Sequence, residues 1–325
     1  MMKFIPLAVL CAAGPLAAGA WAQTAPTGAS QGAGTWTQKA PLPTARNEVA
    51  LATVGGKVYV IGGSINRVSV PHVEEYDPAT DKWSARMPML RGLDHMGTAV
   101  VNGRIITVGG FIAAVHAFPQ ALVYEYDPAA NAWRALAPMK APRASVGVAL
   151  LDGKVHAIGG RTPDGKTLAT HEVYDPATNT WSDAAPLPQA RDHMAVVTAD
   201  GKIHAIGGRI TVPAEPIGRH DVYDPAANSW SSAPPLPTPR SGVSGTFYNG
   251  LIMVLGGEFP PQDRTFAENE GFDVKANTWR TLAPMPAGRH ATAATTDGRN
   301  VYLAGGSLKP GSGQVTDQLI MFNLP

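Results

Sequence analysis

The stretch from Met96 to Trp133, MGTAVVNGRIITVGGFIAAVHAFPQALVYEYDPAANAW, decides the fold. Its apolar residues come in short runs between turn residues, which predicts strands rather than helices. Two of these runs, Met96 to Val101 and Arg104 to Val108, flank Asn102-Gly103. An Asn-Gly pair favours a two-residue type I′ hairpin, because both turn positions need φ > 0. The two runs are therefore predicted to be neighbouring antiparallel strands.

The rest of this stretch predicts two further strands. A Gly-Gly pair ends the second strand, and after a loop the third strand runs from Leu122 to Tyr126. Asp127-Pro128 then marks a turn, since the Asp side chain accepts backbone N–H groups and Pro presets φ. The fourth strand contains Trp133. We label the four strands of such a unit A to D.

The same unit recurs along the chain with a nearly constant period. The Gly-Gly pairs lie at 62–63, 109–110, 159–160, 207–208, 256–257 and 305–306, and the tryptophans that precede them are Trp36, Trp83, Trp133, Trp181, Trp230 and Trp279. Each Trp stands 26 residues before the first Gly of a pair, whereas the interval from a pair to the next Trp varies from 21 to 24. A repeat of roughly 40 to 50 residues is typical of propeller arrays. The sequence therefore predicts an all-β, six-bladed propeller with four antiparallel strands per blade.

The two ends of the repeat region predict how the ring closes. The last unit, from His290 to Phe322, has strands A to C but neither a D strand nor a Trp. The segment from Thr35 to Ala40 contains Trp36 and resembles a D strand without a blade. We expect it to complete the last blade, because such closure removes open sheet edges.

The paired glycines, the Tyr-Asp-Pro turns, the Trp that follows and the Pro-x-x-Arg stretch beyond it resemble kelch repeats over residues 35–325. Kelch propellers include protein-binding adaptors, copper oxidases similar to galactose oxidase, and a bacterial periplasmic sialic acid mutarotase. The resemblance implies the fold but not one function, because function resides in loops on a shared scaffold. A copper oxidase is disfavoured, since its crosslink needs a cysteine and the only one in the chain is Cys11.

The N-terminal region resembles a secretory signal followed by a linker. Lys3 precedes an apolar run, and Ala20-Trp21-Ala22 forms a small-x-small cleavage site before Gln23. We therefore expect a signal peptide over residues 1–22, a flexible linker over 23–34 and an exported protein, periplasmic or extracellular. Cys11 leaves with the signal peptide.

Charge excludes some partner classes. The chain has 26 Lys and Arg and 25 Asp and Glu, and removing Lys3 with the signal leaves 25 of each. A neutral chain without a basic run is a poor nucleic-acid binder, because phosphate contacts dominate that affinity. No apolar stretch beyond the N-terminus is long enough to span a bilayer. We expect a monomer without a cofactor.

A conserved spacing puts an arginine in the loop that joins strand D to the next strand A. The tenth residue after each Trp is Arg46, Leu93, Arg143, Arg191, Arg240 or Arg289, and Arg91 lies in the same loop as Leu93. Two interpretations stay open for these candidate ligand-binding residues. The guanidinium groups bond loop carbonyls around the mouth, or they form an inward ring that holds a carboxylate or sulfate.

The next two positions differ from unit to unit and are the better site candidates. They read Asn47-Glu48, Asp94-His95, Ala144-Ser145, Asp192-His193, Ser241-Gly242 and His290-Ala291. A His beside a carboxylate suits general acid–base chemistry. The candidate catalytic residues are accordingly His95, His193, Asp94, Asp192 and Glu48, and the ligand-binding candidates include Asn47, Ser145 and His290. No metal site is predicted, because His95 and His193 lie two blades apart and only a narrow mouth would bring them together.

The loops between strands B and C carry further variation on the same face. Residues 111–120, 209–220 and 258–270 combine aromatic and charged side chains, among them Phe111, His116, Arg209 and Phe266. Such mixtures suit sugar or peptide contacts. His156 and His204, in contrast, occupy a strand position held by tyrosine in other units and are predicted to fill a packing slot between blades.

Three functional classes remain open at this point. The first is a binding protein that recognises a glycan, peptide or protein ligand at the mouth formed by the D–A and B–C loops. The second is a mutarotase- or epimerase-like enzyme acting on an acidic sugar. The third is a structural protein of the cell envelope. Converging polar groups with perturbed pKa values would indicate catalysis, whereas an exposed apolar patch would indicate a protein partner.

Overall fold

The computed structural model describes residues 33–211 and 214–325. The predicted signal peptide and residues 23–32 of the predicted linker lie outside the described residues. Within these two ranges no helix has the length and hydropathy to cross a membrane. The fold is the predicted six-bladed propeller.

Each blade is an antiparallel sheet of four strands, ordered A to D. Blades 1 to 6 are numbered in the order of their A strands along the chain. The A strands are Ala50–Val54, Gly97–Val101, Gly147–Leu151, Ala195–Ala199, Ser244–Tyr248 and Ala294–Thr296. The B strands are Lys57–Ile61, Arg104–Val108, Lys154–Ile158, Lys202–Ile206, Leu251–Leu255 and Val301–Ala304. The C strands are Val73–Asp77, Val123–Asp127, His171–Asp175, His220–Asp224, Asn269–Asp273 and Leu319–Asn323. The D strands are Lys82–Ala85, Ala132–Ala135, Thr180–Asp183, Ser229–Ser232, Thr278–Thr281 and, for blade 6, Thr35–Lys39.

The B–C loops contain the remaining short elements. Three of them form two-stranded hairpins, Ser64–Ile65 with Val68–Ser69, Arg209–Thr211 with Ala214–Pro216, and Glu258–Phe259 with Arg264–Thr265. A 3-10 helix, Pro260–Gln262, lies in the third hairpin.

The N-terminal strand closes the ring as predicted. Thr35–Lys39 pairs antiparallel with Leu319–Asn323 and is the outermost strand of blade 6. The ring of Trp36 packs on Phe322 at a centroid distance of 4.9 Å, and its Nε1–H donates to the Ala283 carbonyl of blade 5 at 2.8 Å. Ala33 already pairs with blade 5, two residues before the predicted start of the domain. The N-terminal segment therefore bonds to both blade 6 and blade 5.

The repeated tryptophans hold adjacent blades together. Each indole Nε1–H donates to a backbone carbonyl of the preceding blade at 2.7–2.9 Å, from Trp36, Trp83, Trp133, Trp181, Trp230 and Trp279. The buried apolar residues likewise form six clusters, each shared between two neighbouring blades. The core therefore lies between blades, and every blade depends on both neighbours.

The Gly-Gly pairs let neighbouring blades approach at the mouth. At Gly159, with φ of 64°, an added Cβ would lie 2.5 Å from the Arg191 carbonyl oxygen of the next blade. The N–H of Gly160 donates to that same carbonyl at 3.1 Å. A side chain would both clash there and strain a left-handed backbone, so only glycine fits. This contact explains the fixed Trp-to-Gly interval, because Trp and Gly-Gly both set the blade spacing.

Two histidine pairs occupy the predicted slots between blades. His156 donates from Nδ1 to Nε2 of His171 at 2.8 Å, and His171 donates from Nδ1 to the Ala185 carbonyl at 3.1 Å. His204 and His220 repeat this chain one blade later, with Pro234 supplying the carbonyl. All four side chains are buried against aromatic rings of the next blade. His171 and His220 keep these contacts only when they are neutral, because each donates from Nδ1 and accepts at Nε2.

Candidate functional site

The variable positions of the six D–A loops meet around the propeller axis. The second residue after the repeated Arg position has φ between 52° and 64° in every blade, at Glu48, His95, Ser145, His193, Gly242 and Ala291. We call these residues the axial ring. Four of their N–H groups donate to the carbonyl of the axial-ring residue in the preceding blade, at 2.6–3.2 Å. The blade-to-blade hydrogen bonds therefore require a left-handed backbone conformation at this position. This conformation disfavours β-branched residues but does not otherwise restrict the side chain.

A second layer is formed by the residue directly after each Gly-Gly pair. It bridges to the residue that precedes the axial ring, as in Asp94 with Phe111, Asp192 with Arg209, and Ser241 with Glu258. These bridges place B–C loop side chains beside the axial ring. The position after Gly-Gly is thus a functional position that sequence analysis missed, although its fixed offset could have identified it.

The axial ring opens on a small cavity with both polar and apolar lining residues. The cavity has a volume of about 200 Å³ and is lined by the axial ring and by the first residues of all six A strands. Polar side chains project from blades 1 to 4, namely Glu48, His95, Ser145 and His193, while blades 5 and 6 contribute Gly242 and Ala291. The axial ring itself is therefore asymmetric, although Ser244, His290 and Thr292 of blades 5 and 6 also line the cavity.

Glu48 and His95 form a buried pair. His95 Nε2 lies 3.0 Å from Glu48 Oε2, and His95 Nδ1 lies 2.5 Å from Asp94 Oδ1. Burial alone would lower the pKa of His95, but Glu48 and Asp94 together raise it to about 10. Burial alone would raise the pKa of Glu48, but the charge of His95, with His290 and His193 nearby, holds it well below its usual range. His95 therefore keeps its ring proton to a higher pH than an ordinary histidine does, with Glu48 on one side and Asp94 on the other.

His193 has a similar position but a different protonation state. Its Nδ1 lies 2.8 Å from Asp192 Oδ1, and its Nε2 accepts a hydrogen bond from Arg209 Nη2 at 3.0 Å. Burial and then the Arg209 charge lower the pKa of His193, so the ring is neutral. Arg209 is fixed in turn by Glu258, whose Oε1 accepts from Nη1 at 3.0 Å. Burial would raise the pKa of Asp192, but His193, Arg209 and Arg161 together lower it to about 2.

The B–C loop of blade 2 brings a third histidine to this cluster. His116 Nε2 lies 3.2 Å from His95 Nε2, and the His116 ring is 5.7 Å from that of His193. Three non-glycine residues of the loop, Ala113, His116 and Phe118, have positive φ. Such strain persists only where surrounding structure enforces it, and it concentrates at functional sites. From the sequence, His116 is predicted only as a loop residue, because nothing in the chain order shows that this loop turns toward the axis.

The mouth of the propeller is narrow. His95 and His193 therefore lie close together, although they were expected to be apart because they belong to blades 2 and 4. Their ring centroids are 5.2 Å apart. One ligand atom from each of His95, His116 and His193 lies within 4.8 Å of the other two. The premise for predicting no metal site is therefore wrong, since six blades bring alternate axial-ring residues into contact.

Most of the predicted arginines do not face the cavity. Arg46, Arg143, Arg191, Arg240 and Arg289 have side chains that are at most 1% exposed. The first four pair with Glu74, Glu172, Asp221 and Glu270 of strand C in their own blade. Arg289 donates to Gln318 instead, and burial lowers its pKa to about 10. Arg46, Arg191 and Arg240 also donate to backbone carbonyls of strand B or the Gly-Gly pair, which supports the carbonyl-bonding interpretation. The alternative, an inward ring that holds a ligand, is wrong, because none of the five lines the cavity.

The other candidates divide between the site and the surface. Asn47 is buried and bonds Ser307 and Ser64, so it joins the B–C loops to the axial ring. His290 lies 3.4 Å from Glu258 and donates from Nε2 to the Lys309 carbonyl at 2.9 Å. Arg91 is exposed on the D–A loop of blade 2. The structure thus unites Glu48, Asp94, His95, Asp192 and His193 and leaves Arg91 apart.

Replacing Arg143 with Met is expected to destabilise the protein by roughly 3–5 kcal/mol, because the buried carboxylate of Glu172 then loses its partner. The Arg143 Nη2 to Glu172 Oε2 distance is 2.8 Å, and both side chains are 1% exposed. Denaturant unfolding measures the loss. The double variant Arg143→Met/Glu172→Leu should recover much of it, since no unpaired charge remains. An unchanged midpoint for Arg143→Met would contradict a structural role.

Comparison with known proteins supports the fold and leaves the ligand open. The family model described as KLHDC2/KLHL20/DRC7 Kelch-repeats domain matches residues 98–306, and the Kelch motif matches residues 45–90. The solved structure titled "Structure of YjhT" superposes with a TM-score of 0.73 at 17% identity, covering 86% of this chain and 96% of that chain. No curated protein matches the sequence at a significant level. A likeness at this identity shows the fold alone.

Proposed function

Because the chain belongs to the kelch-repeat family of β-propellers, we propose that it is a binding protein for a small, hydroxyl-rich ligand at the axial cavity. The ligand class is a free sugar or the terminal unit of a glycan. The observation that carries this proposal is the asymmetric axial ring, in which Glu48, His95, Ser145 and His193 face the small residues Gly242 and Ala291.

The hydrogen-bonding state of the cavity wall supports a polar ligand. The Ser145 hydroxyl lines the cavity, is buried and makes no hydrogen bond within the described residues. Buried polar groups normally have partners, so such atoms beside a cavity favour a ligand or water that completes them. Glu48 lines the cavity and offers a carboxylate that can accept hydrogen bonds from hydroxyl groups.

The size of the cavity favours a sugar over a protein surface. A volume of about 200 Å³ accommodates one small unit rather than a folded partner. Specific protein interfaces need a much larger contact area, commonly around 800 Å² per partner. A glycan end or free sugar therefore fits the observed site better than a protein ligand does.

A thermal-shift screen of the chain from Gln23 onward tests this proposal. Sugars, acidic sugars, short glycans and short peptides are compared at millimolar concentration. A ligand at a hundred times its Kd stabilises by about 2.7 kcal/mol, which raises the Tm by several degrees. We expect the shift from a sugar or glycan. Shifts from peptides alone, or from none of the compounds, would contradict the proposed ligand class.

A second candidate function is favoured by the Glu48–His95 pair. A carboxylate and an imidazole 3.0 Å apart at a cavity can pass a proton to and from a bound hydroxyl. This geometry suits a mutarotase- or epimerase-like reaction, in which a sugar carbon or ring oxygen exchanges a proton. Any sugar that raises the Tm should be followed by NMR for faster anomer exchange. An unchanged exchange rate would leave binding as the function.

The proposal includes export to the periplasm or the cell exterior. It is supported by Lys3, the apolar run that follows and the Ala20-Trp21-Ala22 site. N-terminal sequencing of the mature protein should find Gln23 first, and an intact Met1 on the functional protein would contradict export.

A further inference from the structure

We propose that His95, His116 and His193 form a binding site for a divalent transition-metal ion, with Zn²⁺ as the best-matched class and Glu48 as the fourth ligand. Three imidazoles and one carboxylate are a common ligand set for Zn²⁺. This inference goes beyond sugar binding and does not depend on it, because the metal would bind with or without an organic ligand.

The distances fit a tetrahedral ion. Ligand atoms about 2.0–2.1 Å from zinc in a tetrahedral site are roughly 3.3 Å from one another. His95 Nε2 is 3.2 Å from His116 Nε2 and 3.0 Å from Glu48 Oε2, so two of the ligand-to-ligand distances already match this spacing. The three histidine ligand atoms all lie within 4.8 Å of one another, so His193 needs to approach by at most about 1.5 Å.

The orientation of the rings is that of metal ligands. Nδ1 of His95 faces Asp94 at 2.5 Å, and Nδ1 of His193 faces Asp192 at 2.8 Å. Each Nε2 is thereby turned toward the axis. A ligating histidine normally gives its other ring N–H to a carboxylate, which fixes the tautomer and strengthens the ligand. Two independent Asp-His pairs with this arrangement converge here from blades 2 and 4.

Two contacts must change when the ion binds. The Nε2 proton of His95, now facing Glu48, leaves to solvent as the metal takes the lone pair. Arg209 Nη2, which lies 3.0 Å from His193 Nε2, must release that lone pair. Arg209 keeps its contacts to Glu258 and Asp192 when it does so. Removing Arg209 should therefore leave metal affinity unchanged or raise it, which is the opposite of removing a ligand.

The experiment titrates tag-free protein with Co²⁺ and Zn²⁺ without any sugar. We expect one ion per chain, with the intense visible absorption of four-coordinate Co²⁺, displaced by Zn²⁺. His116→Ala should weaken binding by about 100-fold or more, since a lost ligand costs at least as much as a lost outer partner. His116 is exposed on its loop, so this change spares the core. His72→Ala is the matched control, because His72 is exposed and lies outside the cluster.

The outcomes separate this site from nonspecific binding. The site is overturned if the wild-type chain binds no ion stoichiometrically, if His116→Ala binds like wild type, or if His72→Ala loses as much affinity. Arg209→Met gives a second test that does not rely on folding of a ligand variant. Affinity equal to or tighter than wild type supports the site, whereas a loss like that of His116→Ala overturns it. A positive metal result beside a negative sugar screen would refute the proposed function and leave this inference standing.

Discussion

A chain that begins at Pro41, and so lacks the outermost strand of blade 6, is expected not to reach the native fold. Without Thr35–Lys39 the strand Leu319–Asn323 becomes an open edge, and the buried face of Phe322 loses Trp36. The bond from Trp36 to Ala283 of blade 5 is lost as well. Unpaired edges promote association between chains, and total domain stability is only about 5–15 kcal/mol. We therefore expect aggregation or a noncooperative melt by circular dichroism.

The matched control is a chain that begins at Ala33 and keeps the closing strand. It should melt cooperatively and remain soluble. If the chain from Pro41 melts cooperatively at the temperature of this control, blade 6 does not need its fourth strand and the closure is not a stabilising feature.

Stability is expected to fall as pH drops from about 6.5 to about 4, through the two histidine pairs between blades. Burial is the first cause that lowers the pKa of each ring, to about 4 for His156, His171 and His220 and about 3 for His204. Nearby cations act in the same direction, Lys154 on His156 and Arg143 on His171. Asp221 opposes the shift at His220.

The direction follows from proton uptake. Above pH 6.5 these rings are neutral in both states, so their stabilising contacts are complete. Below it the unfolded chain takes up protons that the folded chain refuses until about pH 4, so the free energy of unfolding decreases. Each ring contributes up to about 1.4 kcal/mol per pH unit in that window.

A variant that copies blade 2 tests the assignment. Blade 2 carries Ile106 and Val123 where blade 3 carries His156 and His171. Denaturant unfolding at several pH values should show a shallower loss of stability for His156→Ile/His171→Val, whatever its stability at neutral pH. A slope equal to that of the wild-type chain would show that other groups cause the acid sensitivity.

The fold could be predicted from the sequence because its determinants are local and repeated. Asn102-Gly103 fixes a hairpin, and the strands around it lie within one residue of their predicted bounds. The closing strand was predictable because the last unit visibly lacked one. Because the same spacing recurs six times, each predicted element could be checked against the equivalent elements of the other units.

The site could be predicted only in part, because it depends on where side chains point. Comparing units identified Glu48, His95 and His193, which the axial ring does bring together. The ligand-binding interpretation of the arginines was wrong, because a repeated loop position does not reveal whether its side chain turns toward strand C or toward the propeller axis. His116 was not assigned a role, since its B–C loop reaches the axis through a backbone conformation that the sequence does not signal. Arg209, in contrast, could have been placed beside the axial ring from its fixed offset after Gly-Gly.

The most direct measurement of the central claim is a calorimetric titration of the best sugar or glycan from the screen, with a chelator present to remove metal. The variants are Glu48→Gln, which alters the axial ring, and Asp164→Asn, which removes an exposed carboxylate from the B–C loop of blade 3. A hydrogen bond to a charged group is worth about 1.5–3 kcal/mol, so Glu48→Gln should weaken binding roughly 10-fold or more. Asp164→Asn should bind like wild type. Equal affinity for wild type and Glu48→Gln would show that the ligand does not occupy the axial cavity.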